Sequence, residues 1–233
     1  MKVTDYLKDK NKTYFSFEII PPFRGGSIDK IFSLVEELMK FEPPFIDLTS
    51  RSAEEYYQDD GSGNLVQHIR RKRPGTIGIS AAIKNKFNVE TVPHLLCSGF
   101  SKEETEDALI ELNYLGIKNV LALRGDDLRK DRNEINSKIS NGYASDLVKQ
   151  IKNMNEGKYL EPLIDPTKSD FCVGVSGYPE KHFEAIDFKT DIKYLKEKVE
   201  NGADYIVTQM FFDNKVYFDF VERCRKEGIN IPI

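Results

Sequence analysis

Short apolar runs that stop at proline, glycine or a charged residue alternate along this chain with segments of helical periodicity, and that alternation restricts the fold more than any other feature. Tyr14 to Ile20 reads as a strand closed by Pro21-Pro22, because a proline pair offers no N–H to continue a ladder. Gly25-Gly26 turns the chain, Ser27 stands as a cap, and Ile28, Ile31, Phe32, Val35, Leu38 and Met39 recur on one helical face. Pro43-Pro44 ends that helix before the strand Phe45-Ile46-Asp47-Leu48-Thr49. Further on come a strand over Val89 to Cys97, a helix opened by the capping box Ser101-Lys102-Glu103-Glu104 and ended at Gly116, and a buried strand over Lys118 to Leu123. A helix over about Ser145 to Met154 follows. Phe171 to Ser176 (strand), Asp191 to Val199 (helix, stopped at Gly202) and Asp204 to Gln209 (strand) repeat the order. A last helix ends near Gly228, and Ile229 to Ile233 starts a seventh strand.

Two stretches escape this reading. Ser50 to Gly75, around Asp59-Asp60-Gly61-Ser62-Gly63, is too long and polar for an ordinary connection and suggests a mobile or functional loop containing some helix. Thr76 to Phe87 fits helix or strand by periodicity alone. Strands alternating with helices mean parallel βα units, wound as an open sheet or a barrel. No Gly-x-Gly-x-x-Gly follows any strand, which disfavours a dinucleotide-binding open sheet, so the expected α/β architecture is a (β/α)8 TIM barrel forming a single domain over residues 1–233. A closed barrel of this class takes about 250 residues. The expectation is therefore an incomplete barrel, about six βα units plus the start of strand seven, truncated at its C-terminus.

The balance of 34 basic against 38 acidic side chains gives net charge −4, which leaves no global positive field to hold nucleic acid. Arg70-Arg71-Lys72-Arg73, the local exception, reads as the solvated end of a helix stopped by Pro74-Gly75. Cys97, Cys172 and Cys224 are odd in number and widely spaced, which argues against a disulfide framework and a structural zinc site, so no metal is expected. Met1 to Lys12 lacks the apolar core of a signal peptide, and no apolar run approaches the roughly 20 residues that span a bilayer. A reducing, cytoplasmic location without membrane attachment is the expectation.

In such barrels the active site lies at the C-terminal ends of the strands, here Glu18, Thr49, His94, Arg124-Gly125-Asp126, Tyr178 and Gln209. Polar residues also end strands simply as turn formers, and for Thr49 or Asp127 alone that reading is equally good. Glu18 stands apart: large apolar residues flank it on both sides, and turn chemistry begins only at Pro21. A desolvated carboxyl has a raised pKa, as a general acid near neutrality needs. His94 fits a satisfied core histidine as well as a site residue. After Val120-Leu121-Ala122-Leu123, Gly125 would admit a flat ligand close to backbone, with Arg124 and Asp126 supplying opposite charges at its edge.

These strand ends resemble those of the methylenetetrahydrofolate reductase family. The motifs are Ser16-Phe17-Glu18 with Pro21-Pro22, Pro93-His94-Leu95, Ala122-Leu123-Arg124-Gly125-Asp126, Tyr143-Ala144-Ser145-Asp146-Leu147, Tyr178-Pro179-Glu180-x-His182 and Thr208-Gln209-x-Phe211-Phe212-Asp213, in that order over about Tyr14 to Ile233. The resemblance implies that Thr76 to Phe87 is helix. It also implies an FAD-containing barrel that reduces methylenetetrahydrofolate to methyltetrahydrofolate with NADH or NADPH, feeding one-carbon metabolism and methionine synthesis. By this likeness Glu18 is the general acid that protonates the folate ring nitrogen. Asp126 sits beside flavin and pterin, and Gln209 contacts folate. Thr49, His94, Arg124, Gly125, Asp126, Ala144, Tyr178, His182, Ala185, Asp191 and Lys198 hold FAD. Nicotinamide and folate use the same flavin face in turn, giving ping-pong kinetics. The expected partners are a small-molecule folate and further copies of the chain in a homo-oligomer. The chain departs from the family pattern at Ser50-Arg51-Ser52, at Tyr194 and at Glu197. Two other readings stay open: a related flavin barrel acting on a substrate such as proline, and a non-catalytic remnant that binds flavin or folate.

Overall fold

Six parallel strands, β1 (Phe17–Ile19), β2 (Phe45–Leu48), β5 (Glu90–Leu96), β6 (Asn119–Leu123), β7 (Cys172–Gly177) and β8 (Tyr205–Thr208), form one curved sheet in that spatial order, the greater part of a TIM barrel. The structure is a computed structural model. It describes residues 1–9, 11–51, 54–70, 73–125 and 139–233, with backbone alone for 54–56 and 67–70. Helices α2 (Ile28–Met39), α3 (Thr76–Phe87), α4 (Lys102–Tyr114), α5 (Ala144–Asn155), α6 (Phe188–Glu200) and α7 (Asn214–Lys226) follow successive strands of this sheet. A short α1 (Val3–Tyr6) precedes them, and β3 (Glu54–Asp59) with β4 (Leu65–Arg70) forms a separate antiparallel pair.

Local chemistry sets most boundaries. Ser27 Oγ accepts from Asp29 N at 3.1 Å to open α2, and the capping box of α4 is closed from both sides, Glu104 N to Ser101 Oγ at 3.0 Å and Ser101 N to Glu104 Oε2 at 2.8 Å. α6 begins three residues before Asp191, because Asp187 Oδ1 accepts from Thr190 N at 2.7 Å and caps it there. Thr76–Phe87 is helical, as the family resemblance implies.

Side chains alternate across each strand, so the sheet has two apolar faces. Toward the helices, Val120, Ala122, Val173, Val175 and Ile206 pack with Leu109, Leu112, Leu147, Ile151 and Phe220, while Ile46 and Leu48 pack with Ile31, Val35 and Ile83. On the concave face a smaller cluster joins Val92, Leu121, Cys172 and Tyr205 to Val3 of α1. That helix is tied across the N-terminal ends of the strands: Val3 N donates to Asn119 Oδ1 at 2.8 Å, Asn119 Nδ2 returns a bond to Met1 O at 2.9 Å, and the Met1 ammonium meets Glu90 Oε1 at 2.5 Å. One end of the half-barrel is thereby floored.

Three sequence expectations are corrected. Within Ser50 to Gly75 the described backbone contains no helix: it is the β3–β4 hairpin, paired from Glu54 opposite Arg70 to Asp59 opposite Leu65. Its tip is the Asp/Gly cluster, where Asp59 Oδ1 accepts from Gly61 N and Asp60 Oδ1 from Ser62 N, and Gly61 and Gly63 adopt φ of +85° and +88°. Arg70 therefore ends a strand rather than a helix, and Arg73 lies 4.1 Å from the Phe23 ring centroid while donating to Pro21 O. Ile229–Ile233 does not form a strand; Ile206 N donates to Pro232 O at 2.9 Å, but Pro232 has no N–H with which to extend a ladder. No helix among the described residues is long and apolar enough to cross a membrane.

Gly174 lies opposite Tyr205 in the β7–β8 register, and a Cβ placed on it would come within 2.4 Å of the buried Tyr205 ring. Gly174→Ala is expected to cost about 2 kcal/mol of stability by overpacking, measured by denaturant unfolding. Combining it with Tyr205→Leu should recover part of that loss; an undiminished loss in the double variant would show that the ring is not what excludes the methyl group.

Candidate active site

Parallel pairing puts residues that face each other across neighbouring strands on the same side of the sheet, and this places the polar residues. Glu18 is opposite Asp47, and Asp47 is opposite Val92, which lies two residues before His94 on the same face of β5. Thr49, just past β2, continues the ladder through Thr49 N to Ile19 O at 3.0 Å. Its hydroxyl donates to Glu18 Oε1 at 2.5 Å. Glu18 is exposed, which corrects the expectation of a desolvated carboxylate: β1 is an edge strand, and its inward side chain stands over the open concave face rather than in a packed core.

Asp47 is the more enclosed of the two carboxylates on this face. Its side chain keeps 15 % of its surface and lies 3.6 Å from His94 Nε2, a contact somewhat longer than a hydrogen bond. Burial pushes the Asp47 carboxyl up, with the Glu18 charge adding to the effect and His94 opposing it. His94 is buried, and its Nε2 has no hydrogen-bond partner.

A second cluster lies along the same edge, beyond β6 and β7. Cys97 N and Ser98 N carry the β5–β6 ladder past the strand ends to Leu123 O and Arg124 O. Arg124 Nη1 donates to Glu184 Oε2 at 2.7 Å, and Gly125 follows at φ +86°, a conformation that favours glycine. Tyr178 packs edge-on against the His182 ring at 4.6 Å. His182 Nδ1 accepts from Glu184 N at 3.2 Å, its backbone N–H donates to Asp191 Oδ2 at 3.1 Å, and burial holds its imidazole below the ordinary value. Lys198 Nζ donates to Ser176 O at 3.0 Å. Burial pulls that ammonium down to about 8, Asp191 opposing and Arg124 reinforcing the shift. Cys97, deep in the same region, is pushed up to about 12 by burial and is no thiolate near neutrality.

The predicted residues thus fall into two neighbouring groups. Glu18, Thr49 and His94 line β1, β2 and β5, while Arg124, Gly125, Tyr178, His182, Asp191 and Lys198 gather past β6 and β7. Ala144 is the buried first residue of α5, and Ala185 is a buried link between His182 O, to which its N–H donates at 3.0 Å, and Lys181 Nζ. Gln209 stands exposed beyond β8, with Gln209 N donating to Gly177 O at 2.7 Å and its own Oε1 accepting from Met210 N. Asp126 and Asp127 lie outside the described residues. Sequence reasoning passed over Asp47, although it carries the same signal as Glu18, a carboxylate inside an apolar strand. Glu184, 60 positions from Arg124, has no such signal. Chemically, one group offers a carboxyl oriented by a hydroxyl. The other offers two cations, one of them a buried ammonium, fit for an anion such as a diphosphate.

A family model described as methylenetetrahydrofolate reductase matches residues 2–233. Among curated proteins, methylenetetrahydrofolate reductase (NADH) 1 of Arabidopsis thaliana is 33% identical over 245 residues, and methylenetetrahydrofolate reductase 1 of Schizosaccharomyces pombe is 34% identical over 237; both matches cover 100% of this chain. The chain spans only 37% and 34% of those two proteins. The 5,10-methylenetetrahydrofolate reductase of Pectobacterium carotovorum is 30% identical, over 94% of this chain and 61% of its own length. Among solved structures, an oxaloacetate acetylhydrolase superposes with TM-score 0.52 at 10% identity, over 94% of this chain and 66% of that one, a likeness of fold alone.

The depressed Lys198 value has a stability consequence. Below pH 8 the lysine is charged in the folded and the unfolded chain, and burying that charge opposes folding. Between pH 8 and 10.5 the unfolded chain holds more protons, so stability rises with pH, and above that window the cost is gone. Lys198→Met is expected to be more stable than the parent at pH 7 by on the order of 2 kcal/mol, an advantage that shrinks from pH 8 upward, while affinity for inorganic pyrophosphate falls. Denaturant melts across pH 6–11 measure the first effect and calorimetric titration the second.

Proposed function

Because the chain belongs to the methylenetetrahydrofolate reductase family, we propose that it carries out the reduction of methylenetetrahydrofolate to methyltetrahydrofolate at the C-terminal edge of its strands, with NADH or NADPH as reductant. The observation that carries this reading is Glu18: an exposed carboxyl at the mouth of a half-barrel, oriented through Oε1 by the Thr49 hydroxyl. In this role Glu18 delivers a proton to a folate ring nitrogen, which opens the five-membered ring, and Gln209 and Asp126 contact the same substrate. Exposure suits the task, since the carboxyl is reloaded from solvent each time the folate leaves.

The residues present fit FAD. Lys198 and Arg124 supply the charge that a diphosphate requires, and the Lys198 ammonium, short of negative charge in its buried place, gains from one. Gly125, with no Cβ and a positive φ, lets a flat ring approach the backbone. Thr49, His94, Ala144, Tyr178, His182, Ala185 and Asp191 complete the shell, Asp191 by holding the His182 backbone. When bound, FAD supplies a two-electron relay between a nicotinamide and a folate that visit in turn, hence ping-pong order. The same reading makes this a cytoplasmic, homo-oligomeric enzyme of one-carbon metabolism that supplies methyl groups for methionine, with a folate rather than nucleic acid or membrane as its partner.

Purified protein is expected to be yellow. Glu18→Gln should still oxidise the nicotinamide nucleotide with an artificial acceptor, yet lose folate reduction by about 100-fold or more. Stopped-flow measurement of the two half-reactions separates these steps, and equal loss of both would remove Glu18 from the acid role.

A further inference from the structure

Asp47 has no part in the chemistry proposed for Glu18, yet its surroundings single it out. It sits in β2 between Ile46 and Leu48, both wholly buried, so its side chain turns to the concave face. Three groups face it there, each from a different strand: Glu18 opposite it on β1, His94 on β5, and Tyr205 on β8, whose phenol is driven well up by burial and then by the Asp47 charge. His94 is the close one. Its Nε2 is buried without a hydrogen-bond partner, 3.6 Å from Asp47 Oδ1. A ring nitrogen sealed from water and turned toward a carboxyl is satisfied in two ways, by giving its proton to the carboxylate or by accepting one from the neutral acid, and once the carboxyl is ionised only the first is left. In a neutral imidazole the partner of one nitrogen settles the state of the other.

We propose that Asp47 is a positioning residue of this site: its carboxylate accepts the Nε2 proton of His94, fixes the Nε2–H tautomer and ring orientation, and leaves Nδ1 as the acceptor the ring offers to a hydroxyl or N–H of the bound cofactor. The cofactor clause rests on the flavin reading above; the pairing of Asp47 with His94 does not. Thr49 does for Glu18 what Asp47 does for His94, so β2 supplies the orienting group for both of its neighbours, through residues two apart on one face.

The chain has three histidines, His68, His94 and His182, so the imidazole nitrogens of 15N-histidine-labelled protein are assigned by comparison with His68→Gln and His182→Gln. At pH 8.5 the parent is expected to show His94 as the Nε2–H tautomer. Asp47→Asn, which keeps an acceptor oxygen, should preserve it. Asp47→Leu, of similar volume and with no acceptor, should convert His94 to Nδ1–H or to a mixture, and should weaken FAD binding about tenfold, against less than about threefold for Asp47→Asn. An Nδ1–H tautomer in the parent, or an unchanged tautomer in Asp47→Leu, overturns the pairing, and the parent spectrum decides even if Asp47→Leu fails to fold. A shifted tautomer with unchanged FAD affinity overturns the role toward the cofactor. A parent with the expected tautomer that takes up no FAD supports the pairing and overturns the flavin reading instead.

Discussion

Parallel register is the constraint on which the rest of this molecule depends. Because Glu18, Asp47 and Val92 align across β1, β2 and β5, every second residue of each strand faces the concave side at a matching height, and side chains far apart in the chain become neighbours. Shifting one strand by a single residue would send Glu18 or Asp47 into the helix-facing core and bring Ile19 or Leu48 to the open side. The apolar contacts of Ile19, Ile46 and Leu48 with Ile31, Val35 and Ile83 hold that register. The hydrophobic layer behind the sheet therefore aims the polar layer in front of it.

The two polar groups along the open edge are built on different principles. Around Glu18 the emphasis is orientation: a hydroxyl contact and a half-buried carboxylate one strand away, with solvent still admitted. Around Lys198 it is enclosure: the ammonium donates to Ser176 O, and burial pulls it down, with Asp191 opposing that shift and Arg124 adding to it. Burying a charge in this way costs stability relative to an apolar side chain of the same shape, and on the proposed reading a bound diphosphate would offset that cost.

Much of this was legible in the residues. Proline pairs at Pro21-Pro22 and Pro43-Pro44, the Ser101 to Glu104 box and the apolar periodicity of Ile28–Met39 located their elements to within a few positions, because each acts through local backbone chemistry. The hairpin was missed although Tyr56-Tyr57 and Leu65-Val66 flank an Asp/Gly turn; the length and polarity of the stretch outweighed a pattern that has its own physical meaning. The burial of Glu18 was misjudged for a different reason. Flanking apolar residues describe a strand's two faces together, and only the sheet order shows that β1 lies at an edge. Arg124 with Glu184, and Asp47 with His94, depend on tertiary placement that no spacing encodes.

The short N-terminal helix has a meaning in time as well as in space. Its anchors are Glu90, Asn119 and, through Lys2, Asp170, the last of these 168 positions away along the chain. On a ribosome these first residues emerge well before the strands they are to seal. They wait, unable to bury Val3, until β5, β6 and β7 have come together. The anchor at Asp170 cannot close before the chain has been made that far, so this helix is held by contacts of long range in the sequence rather than by its own neighbours.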